Sequence, residues 1–209
     1  QKVRRCLYDL LLAEDNGGRF LSHLAVRMEN ANATLLEGRN FGLLGEFGKN
    51  ITPDMKLAIA NVRQTVQFLE HLCLGQYADF QNILREQPMY NVRTYDLVGM
   101  CIELLSAMAD SQQAVKHMGE DELGLVRDLL ALLYHCQEGP NEENQLKVAH
   151  SDVPVAINLI LAADSPIEAR LTHVEGHGRV SLEALCFRVL AACLEGRQDT
   201  ECHVCLREH

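Results

Sequence analysis

Apolar residues recur at steps of three and four along most of the chain, and no stretch shows the strict alternation of a half-buried strand. The segment with Tyr95, Val98, Ile102, Leu105 and Met108 is typical. This spacing places apolar side chains on one face of an α-helix. The sequence therefore predicts an all-α fold of about eight to ten helices, as an irregular armadillo-like α-solenoid or a large helical bundle.

One predicted helix is apolar most of the way round. It follows Gly119 and the three acids of residues 120–122, which the helix dipole favours in a first turn. Leucine and valine then dominate residues 123–133. A helix of this kind is covered on several sides, so we expect Leu129 and Leu130 in the core. An inner helix favours the solenoid.

Glycine and proline divide the first third of the chain. Asn16-Gly17-Gly18 is a stop signal for a first helix over about residues 2–13, and a second segment spans about 20–36. Four glycines then predict a loop over residues 38–52. Thr52-Pro53 is a start signal, with a capping hydroxyl followed by proline at the first helical position.

Further signals divide the rest of the chain. A short helix is predicted over residues 78–86, and Asn91 can cap the long helix after it. Gly139-Pro140-Asn141 predicts a sharp turn, and residues 144–163 form one helix or two, split near Asp152. Two more helices are expected to begin at Ser165 and Ser181.

Charge excludes some partners. The formal net charge is −10, from 19 basic and 29 acidic residues. Such a chain repels phosphate backbones and anionic lipid, which disfavours nucleic-acid binding. The longest apolar run, residues 153–163, is broken by Pro154 and Asn158 and is far shorter than a membrane span. We expect no direct membrane contact by this segment.

Eight cysteines lie mostly in apolar helical contexts, which indicates reduced thiols in a cytosolic environment. Cys202-His203-Val204-Cys205 resembles half of a zinc site, but the second pair of ligands is missing. A terminal helix with one inward cysteine and an outward His203 is the favoured interpretation. The two histidines of the segment His173-Val174-Glu175-Gly176-His177 are four residues apart, as in a zinc metalloprotease motif. In that motif the glutamate follows the first histidine directly, whereas Glu175 is two residues away. We predict that the chain binds no metal ion.

No pattern indicates catalysis. The sequence has no Gly-x-Ser-x-Gly elbow, and its glycine-rich segment lacks the Lys-Ser/Thr of a phosphate loop. We therefore predict that the chain is not an enzyme, has no catalytic residues and binds no cofactor.

Two stretches are more particular than a generic helix. Phe68-Leu69-Glu70-His71-Leu72-Cys73 leads into residues 79–87, Asp-Phe-Gln-Asn-Ile-Leu-Arg-Glu-Gln, and resembles a stretch of inositol trisphosphate and ryanodine receptors. Residues 134–140 and 143–145 are similar to a later segment of those receptors, and Leu194-Glu195-Gly196-Arg197 to the end of the same domain. Glu138 is an insertion, and Asn141 stands where the family often has cysteine.

The resemblance covers about residues 60–200 and implies the receptor homology-associated helical domain. Residues 53–209 would form that domain after N-terminal helices and a loop in 1–52, or 1–209 would be one continuous domain. The implied function is a cytosolic helical coupling segment of a calcium-release channel in the endoplasmic reticulum or another calcium-store membrane. Its partners would be other domains of the same polypeptide and neighbouring subunits.

An alternative from another class is a freestanding helical adaptor that binds a protein or peptide. The resemblance also marks residues for polar links between helices or for a partner surface, because buried polar groups need hydrogen-bond partners. They are Asp79, Gln81, Asn82, Arg85, Gln137, Gly139, Pro140, Asn144 and Gln145.

Overall fold

The computed structural model describes residues 2–12, 17–40, 52–87, 94–163, 181–198 and 200–208. Within these ranges the chain forms eleven α-helices and no strand, which confirms the predicted all-α fold. The helices are α1 (Lys2–Leu12), α2 (Gly17–Asn40), α3 (Pro53–Cys73), α4 (Ala78–Arg85), α5 (Leu97–Met108), α6 (Gln112–His117), α7 (Glu120–Gln137), α8 (Glu142–Ala149), α9 (Val153–Ala162), α10 (Leu182–Ala192) and α11 (Glu201–Glu208).

Helix α7 lies at the centre of the fold. It packs against α3, α5 and α10 and also contacts α4 and α8. Its leucine and valine residues are at most 2% exposed, namely Leu123, Leu125, Val126, Leu129, Leu130, Leu132 and Leu133. The prediction of an inner helix is confirmed. Burying each such side chain contributes about 1.5–3 kcal/mol, so α7 organises the core.

Three predicted helix starts are confirmed by their caps. The Thr52 hydroxyl accepts a hydrogen bond from the Met55 amide at 3.2 Å, and Pro53 opens α3. The Gly119 amide donates to the Glu122 carboxylate at 2.7 Å, at the start of α7. The Ser181 hydroxyl caps α10 through the Ala184 amide at 3.1 Å. Each cap satisfies a backbone group that the first turn leaves without a partner.

The predicted loop over residues 38–52 is wrong at its start, because α2 continues through Gly38 to Asn40. One glycine costs a helix only about 1 kcal/mol. The buried face of α2, which includes Leu21, Ala25 and Met28, outweighs that cost. Residues 41–51 lie outside the described part of the chain. Gly17 and Gly18 form the first turn of α2.

The predicted start of the fifth helix is also displaced. Asn91 lies outside the described residues, and Tyr95 precedes the helix. The Asp96 carboxylate instead caps α5, accepting from the Gly99 amide at 2.8 Å. A carboxylate three residues before a free amide is a strong N-cap, so the helix begins at Leu97.

The remaining boundaries agree with the signals. Gly139-Pro140-Asn141 lies in the turn between α7 and α8, and residues 142–162 form two helices that separate near Asp152. The short α6 was not predicted, and Ser111 caps it through the Ala114 amide at 3.1 Å. The helix expected from Ser165 and the histidines of residues 173–177 lie outside the described residues.

The first two helices pack on the later ones. Helix α2 lies along α3 and α5, and the rings of Phe20 and Phe68 meet edge to face with centroids 5.7 Å apart. The ring of Tyr8 on α1 meets Phe80 on α4 in the same way at 5.7 Å. The division into residues 1–52 and 53–209 stays a prediction. None of the described helices combines the length and the hydropathy needed to cross a membrane.

Candidate functional site: a polar junction around helix α8

The residues selected from the sequence meet around α8. All nine lie on α4, near the end of α7, in the following turn or on α8, and eight of them, without Asp79, meet here. Asn141, in the same turn, joins them through hydrogen bonds. We call these nine residues the polar junction: Gln81, Asn82, Arg85, Gln137, Gly139, Pro140, Asn141, Asn144 and Gln145. Asp79 stays outside it, in the first turn of α4, where the helix dipole favours its charge.

Gln81 closes the C-terminal end of α7. Its side-chain amide donates to the carbonyl oxygens of His135 at 2.8 Å and Glu138 at 2.9 Å. The last carbonyl groups of a helix have no partner within the helix, and Gln81, only 1% exposed, supplies one from α4. The hydrogen bonds fix α4 against the end of α7.

Asn144 joins three elements. Its amide group donates to the carbonyl oxygens of Cys136 at 2.8 Å and Gln81 at 3.2 Å. Its side-chain oxygen accepts from Arg85 Nη1 at 2.8 Å. Since Asn144 is fully buried, each of these bonds replaces one to water. The position of α8 therefore depends on both α4 and α7.

Arg85 carries the charge of the polar junction. Besides Asn144, its guanidinium group binds the carboxylate of Glu143. The Arg85 side chain is 15% exposed, whereas that of Glu143 is 72% exposed, so solvent screens the pair. Burial lowers the pKa of Arg85 from its usual value, and the carboxylates of Glu86 and Asp96 oppose that shift. The arginine remains a cation, because its ordinary pKa lies far above neutrality.

Asn141 was noted in the sequence as a departure from the family pattern and was not selected. Its side-chain oxygen caps α8 by accepting from the Asn144 amide at 3.1 Å. Its amide group donates to the side-chain oxygen of Asn82 at 2.8 Å. An asparagine just after a glycine-proline turn is a strong N-cap signal, and it could have identified this residue.

Gln145 and Gln137 extend the polar junction to α10. The buried amide of Gln145 donates to the carbonyl oxygens of Ala192 at 2.8 Å and Glu195 at 2.9 Å, so it closes the end of α10 as Gln81 closes α7. The Gln137 side-chain oxygen accepts from the Cys193 thiol at 2.9 Å. Burial raises the pKa of Cys193 to about 12, which keeps its proton available for this bond.

The turn after α7 approaches its neighbours closely. Gly139 has φ of 87° and Gly196 has φ of 71°, a region that favours glycine. A Cβ atom at Gly196 would stand 2.7 Å from the ring of Pro140, and one at Gly139 would stand 2.8 Å from Cβ of Gln76. Pro140 therefore packs directly on the segment that follows α10.

Two more contacts of α8 carry no sequence signal. Lys147 forms an ion pair with Asp96, which caps α5. His150, just after α8, lies 3.1 Å from the Glu201 carboxylate on α11. These pairs join residues about fifty positions apart, and spacing along the chain gives no indication of them.

The polar junction connects helices to one another through hydrogen bonds. Its hydrogen bonds run between protein groups, mostly from side-chain amides to carbonyl groups at helix ends. In the described ranges, no three or more His, Cys, Asp or Glu side chains are grouped to hold a metal ion. Cys202 is buried and His203 exposed on α11, as expected for a terminal helix.

A comparison with protein families agrees with the resemblance seen in the sequence. The family model described as RyR and IP3R Homology associated matches residues 56–161, just over half of the 209 residues. The match includes the whole polar junction from Gln81 to Gln145. It ends before residues 194–197, so the similarity of that stretch stays a prediction. The chain belongs to the RyR and IP3R Homology associated family, which is a channel family and not an enzyme family.

Proposed function

We propose that this chain is a cytosolic helical coupling segment of an intracellular ligand-gated calcium-release channel. In this role it transmits conformational change between other cytosolic domains and the pore. Family membership supports the channel. The observation that supports coupling is the arrangement of α8, whose polar side chains bind groups on α4, α5, α7 and α10.

A coupling element must favour one arrangement of its neighbours over another. Helix α8 has the contacts to do so, because Asn144 and Gln145 are fully buried and each donates to two carbonyl groups. A buried carbonyl group that loses its partner costs about 1–3 kcal/mol. A displacement of α10 relative to α4 therefore requires α8 either to move with one of them or to lose these bonds.

The proposed partners are other domains of the same polypeptide and neighbouring subunits, in a channel of the endoplasmic reticulum or another calcium-store membrane. All eight cysteines are thiols, which suits a reducing cytosol. The net charge of −10 suits a segment held away from anionic lipid.

Charge reversal at Arg85 in the full-length channel tests the proposal. Arg85→Glu places two carboxylates together in the polar junction and loses the hydrogen bond to Asn144. We expect a changed open probability in planar bilayers, with nearly unchanged agonist binding, inositol trisphosphate being the first agonist assayed. Coupling is reciprocal, so a modest shift of apparent affinity accompanies a strong effect.

Two further variants make this test specific. The double variant Arg85→Glu with Glu143→Arg restores opposite charges and should recover part of the gating change. Arg5→Glu reverses an exposed charge on α1 whose ion pair among the described residues is with Asp9 of the same helix, and it should leave gating unaltered. Unchanged gating in Arg85→Glu channels that assemble normally would refute a coupling role for the polar junction.

A further inference from the structure

A cavity lies where α2 packs against α5. Its volume is about 200 Å³, and it is partly open to solvent. The residues that line it are Met28, Glu29, Asn32, Asp96, Gly99, Met100 and Glu103. We call this space the α2–α5 cavity. It is far larger than a single water molecule needs, so a side chain of another molecule can enter it.

The α2–α5 cavity has an excess of negative charge. Lys147 pairs with the carboxylate of Asp96. Glu29 on α2 and Glu103 on α5 are exposed, and neither forms an ion pair with a described residue. Two carboxylates on the walls of one cavity repel each other, and a cation between them removes that repulsion. The cavity therefore favours a positively charged ligand.

Asn32 gives an independent reason to expect a ligand that donates hydrogen bonds. Its side-chain oxygen is buried and accepts no hydrogen bond from any described residue. A buried acceptor without a donor is unfavourable. The terminal torsion of an asparagine side chain is broad, so a small rotation of the amide turns this oxygen toward the cavity that Asn32 lines. A donor within the cavity then satisfies the oxygen.

The distribution of the acceptors favours an extended cation over a metal ion. In the described ranges, no three His, Cys, Asp or Glu side chains are close enough together to hold a metal. A guanidinium group carries five N–H donors in a planar fork and accepts nothing, so it can bind a carboxylate and the Asn32 oxygen at once. Met28 and Met100 provide an apolar wall for the methylene groups of an arginine side chain.

We propose that the α2–α5 cavity binds the side chain of an arginine on a segment of a partner protein. The guanidinium group donates to the Asn32 oxygen and to the carboxylate of Glu103. An arginine within a peptide fits better than the free amino acid, because the cavity repels the free α-carboxylate. A lysine has the same charge, but its compact ammonium group lacks the planar fork. The inference concerns this cavity alone and does not depend on the proposed coupling function.

The test titrates the isotope-labelled 209-residue chain with N-acetyl-arginine amide. Nuclear magnetic resonance follows the backbone amide of Gly99 and the side-chain amide of Asn32, which both line the cavity. N-acetyl-citrulline amide is the matched ligand, because its side chain has a similar shape and no charge. N-acetyl-lysine amide keeps the charge without the fork, and free arginine adds the α-carboxylate.

We expect saturable shifts with N-acetyl-arginine amide and a Kd of about 1 mM, which is reasonable for a ligand the size of a capped amino acid. The citrulline and lysine compounds should bind at least about tenfold more weakly, because each lacks either the charge or the fork. Free arginine should also bind more weakly than its capped form. Raising the salt concentration should weaken binding, since the carboxylates are exposed.

Two variants identify the groups that bind. Asn32→Ala removes the oxygen and should weaken binding about fivefold. It should fold normally, because the oxygen has no donor to lose among the described residues. Asn30→Ala, at an exposed position of the same helix, is its control and should bind as the unaltered chain does. Glu103→Gln should weaken binding about threefold, whereas Glu183→Gln, at an exposed position of α10, should not.

The absence of a saturable shift at about 20 mM N-acetyl-arginine amide would overturn the proposal. Equal binding of the citrulline or the lysine compound would do the same, as would an affinity that Asn32→Ala leaves unchanged. Tighter binding of free arginine would contradict a peptide-borne ligand. If a variant does not fold, the four ligands still decide the question on the unaltered chain.

Discussion

The guanidinium group of Arg63 on α3 occupies the space that a side chain at Gly124 on α7 would fill. A Cβ atom at Gly124 would stand 2.8 Å from Cζ and Nη1 of Arg63. From this position Arg63 Nε donates to the Asp128 carboxylate at 2.9 Å, and the Gln67 amide donates to the same oxygen at 2.9 Å. Because the Asp128 side chain is only 5% exposed, its charge depends on these partners.

Gly124→Ala should therefore destabilise the fold, although alanine is the better helix former by about 1 kcal/mol. The new methyl group displaces the guanidinium group and leaves a buried carboxylate with one donor fewer. We expect a net loss of about 1–2 kcal/mol in the free energy of unfolding, measured by urea denaturation.

The matched control removes the arginine first. In an Arg63→Ala background the space at Gly124 is open, so Gly124→Ala should stabilise by about 1 kcal/mol. The substitution thus changes sign between the two backgrounds. The same effect in both would show that Gly124 and Arg63 are energetically independent.

The interior of α7 gives the second prediction. Leu130 is fully buried, and Leu130→Ala should cost about 2–5 kcal/mol, the range for a buried leucine that leaves a cavity. Leu57 on α3 is 62% exposed, so Leu57→Ala should change the unfolding free energy by less than about 0.5 kcal/mol. Denaturant titration of both variants measures these changes in unfolding free energy. Equal losses for Leu130→Ala and Leu57→Ala would mean that α7 is not an inner helix.

The contrast between α7 and α2 shows what the sequence could predict. A nearly continuous run of apolar residues identified α7, because a helix that is buried on several sides needs apolar residues at most of its positions. The predicted helix end at Gly38 was wrong, because the free energy gained by packing the rest of α2 exceeds the cost of one glycine within a helix. The cap of α5 was assigned to Asn91 instead of Asp96, since several residues near a helix start can serve as its cap.

The polar junction could be predicted only in part. The family resemblance selected Gln81, Asn144 and Gln145, but their partners are backbone carbonyl groups, which carry no sequence signal. The pair of Arg63 and Asp128 lies 65 positions apart in the chain and was missed entirely. The spacing of apolar residues along a helix shows which face of that helix is buried. It does not show which other helix packs against that face.

Gln145 gives the third prediction. Gln145→Leu keeps a similar volume and removes the donor that two carbonyl groups at the end of α10 share. We expect a loss of about 1–3 kcal/mol in the unfolding free energy, the cost of leaving buried carbonyl groups without a partner. Gln64→Leu on the exposed face of α3 is the control and should cost less than about 0.5 kcal/mol. A Gln145→Leu variant as stable as the unaltered chain would contradict the prediction.

The fourth prediction concerns Glu70, whose carboxylate faces His135 at 3.7 Å. Burial raises the pKa of Glu70 above its usual 4.5, and the nearby His135 and His71 oppose that shift. A raised folded-state pKa means that the folded chain binds the proton more tightly than the unfolded chain. The ionised carboxylate therefore costs stability above pH 4.5, and the cost disappears below it.

Glu70→Gln should accordingly be more stable than the unaltered chain at neutral pH. The difference in unfolding free energy should shrink as the pH falls toward 4.5. Glu29→Gln changes an exposed carboxylate on α2, so its unfolding free energy at neutral pH should differ from that of the unaltered chain by less than about 0.5 kcal/mol. A Glu70→Gln variant that is less stable at neutral pH would show that the contact with His135 outweighs burial.

The last prediction is that this chain alone does not bind inositol trisphosphate with useful affinity. A ligand with three phosphate groups needs several arginine or lysine side chains that converge on one site. Here 19 basic residues are outnumbered by 29 acidic ones. Arg63, Arg85 and Lys147 each bind a carboxylate of the same chain. A phosphate group would have to displace that carboxylate and also approach a surface of net negative charge.

Titration calorimetry at about 100 μM ligand should therefore give no saturable heat, with uncharged inositol as the matched ligand. Micromolar binding of inositol trisphosphate and not of inositol would make the chain a ligand-binding domain and would remove the basis for a purely mechanical role.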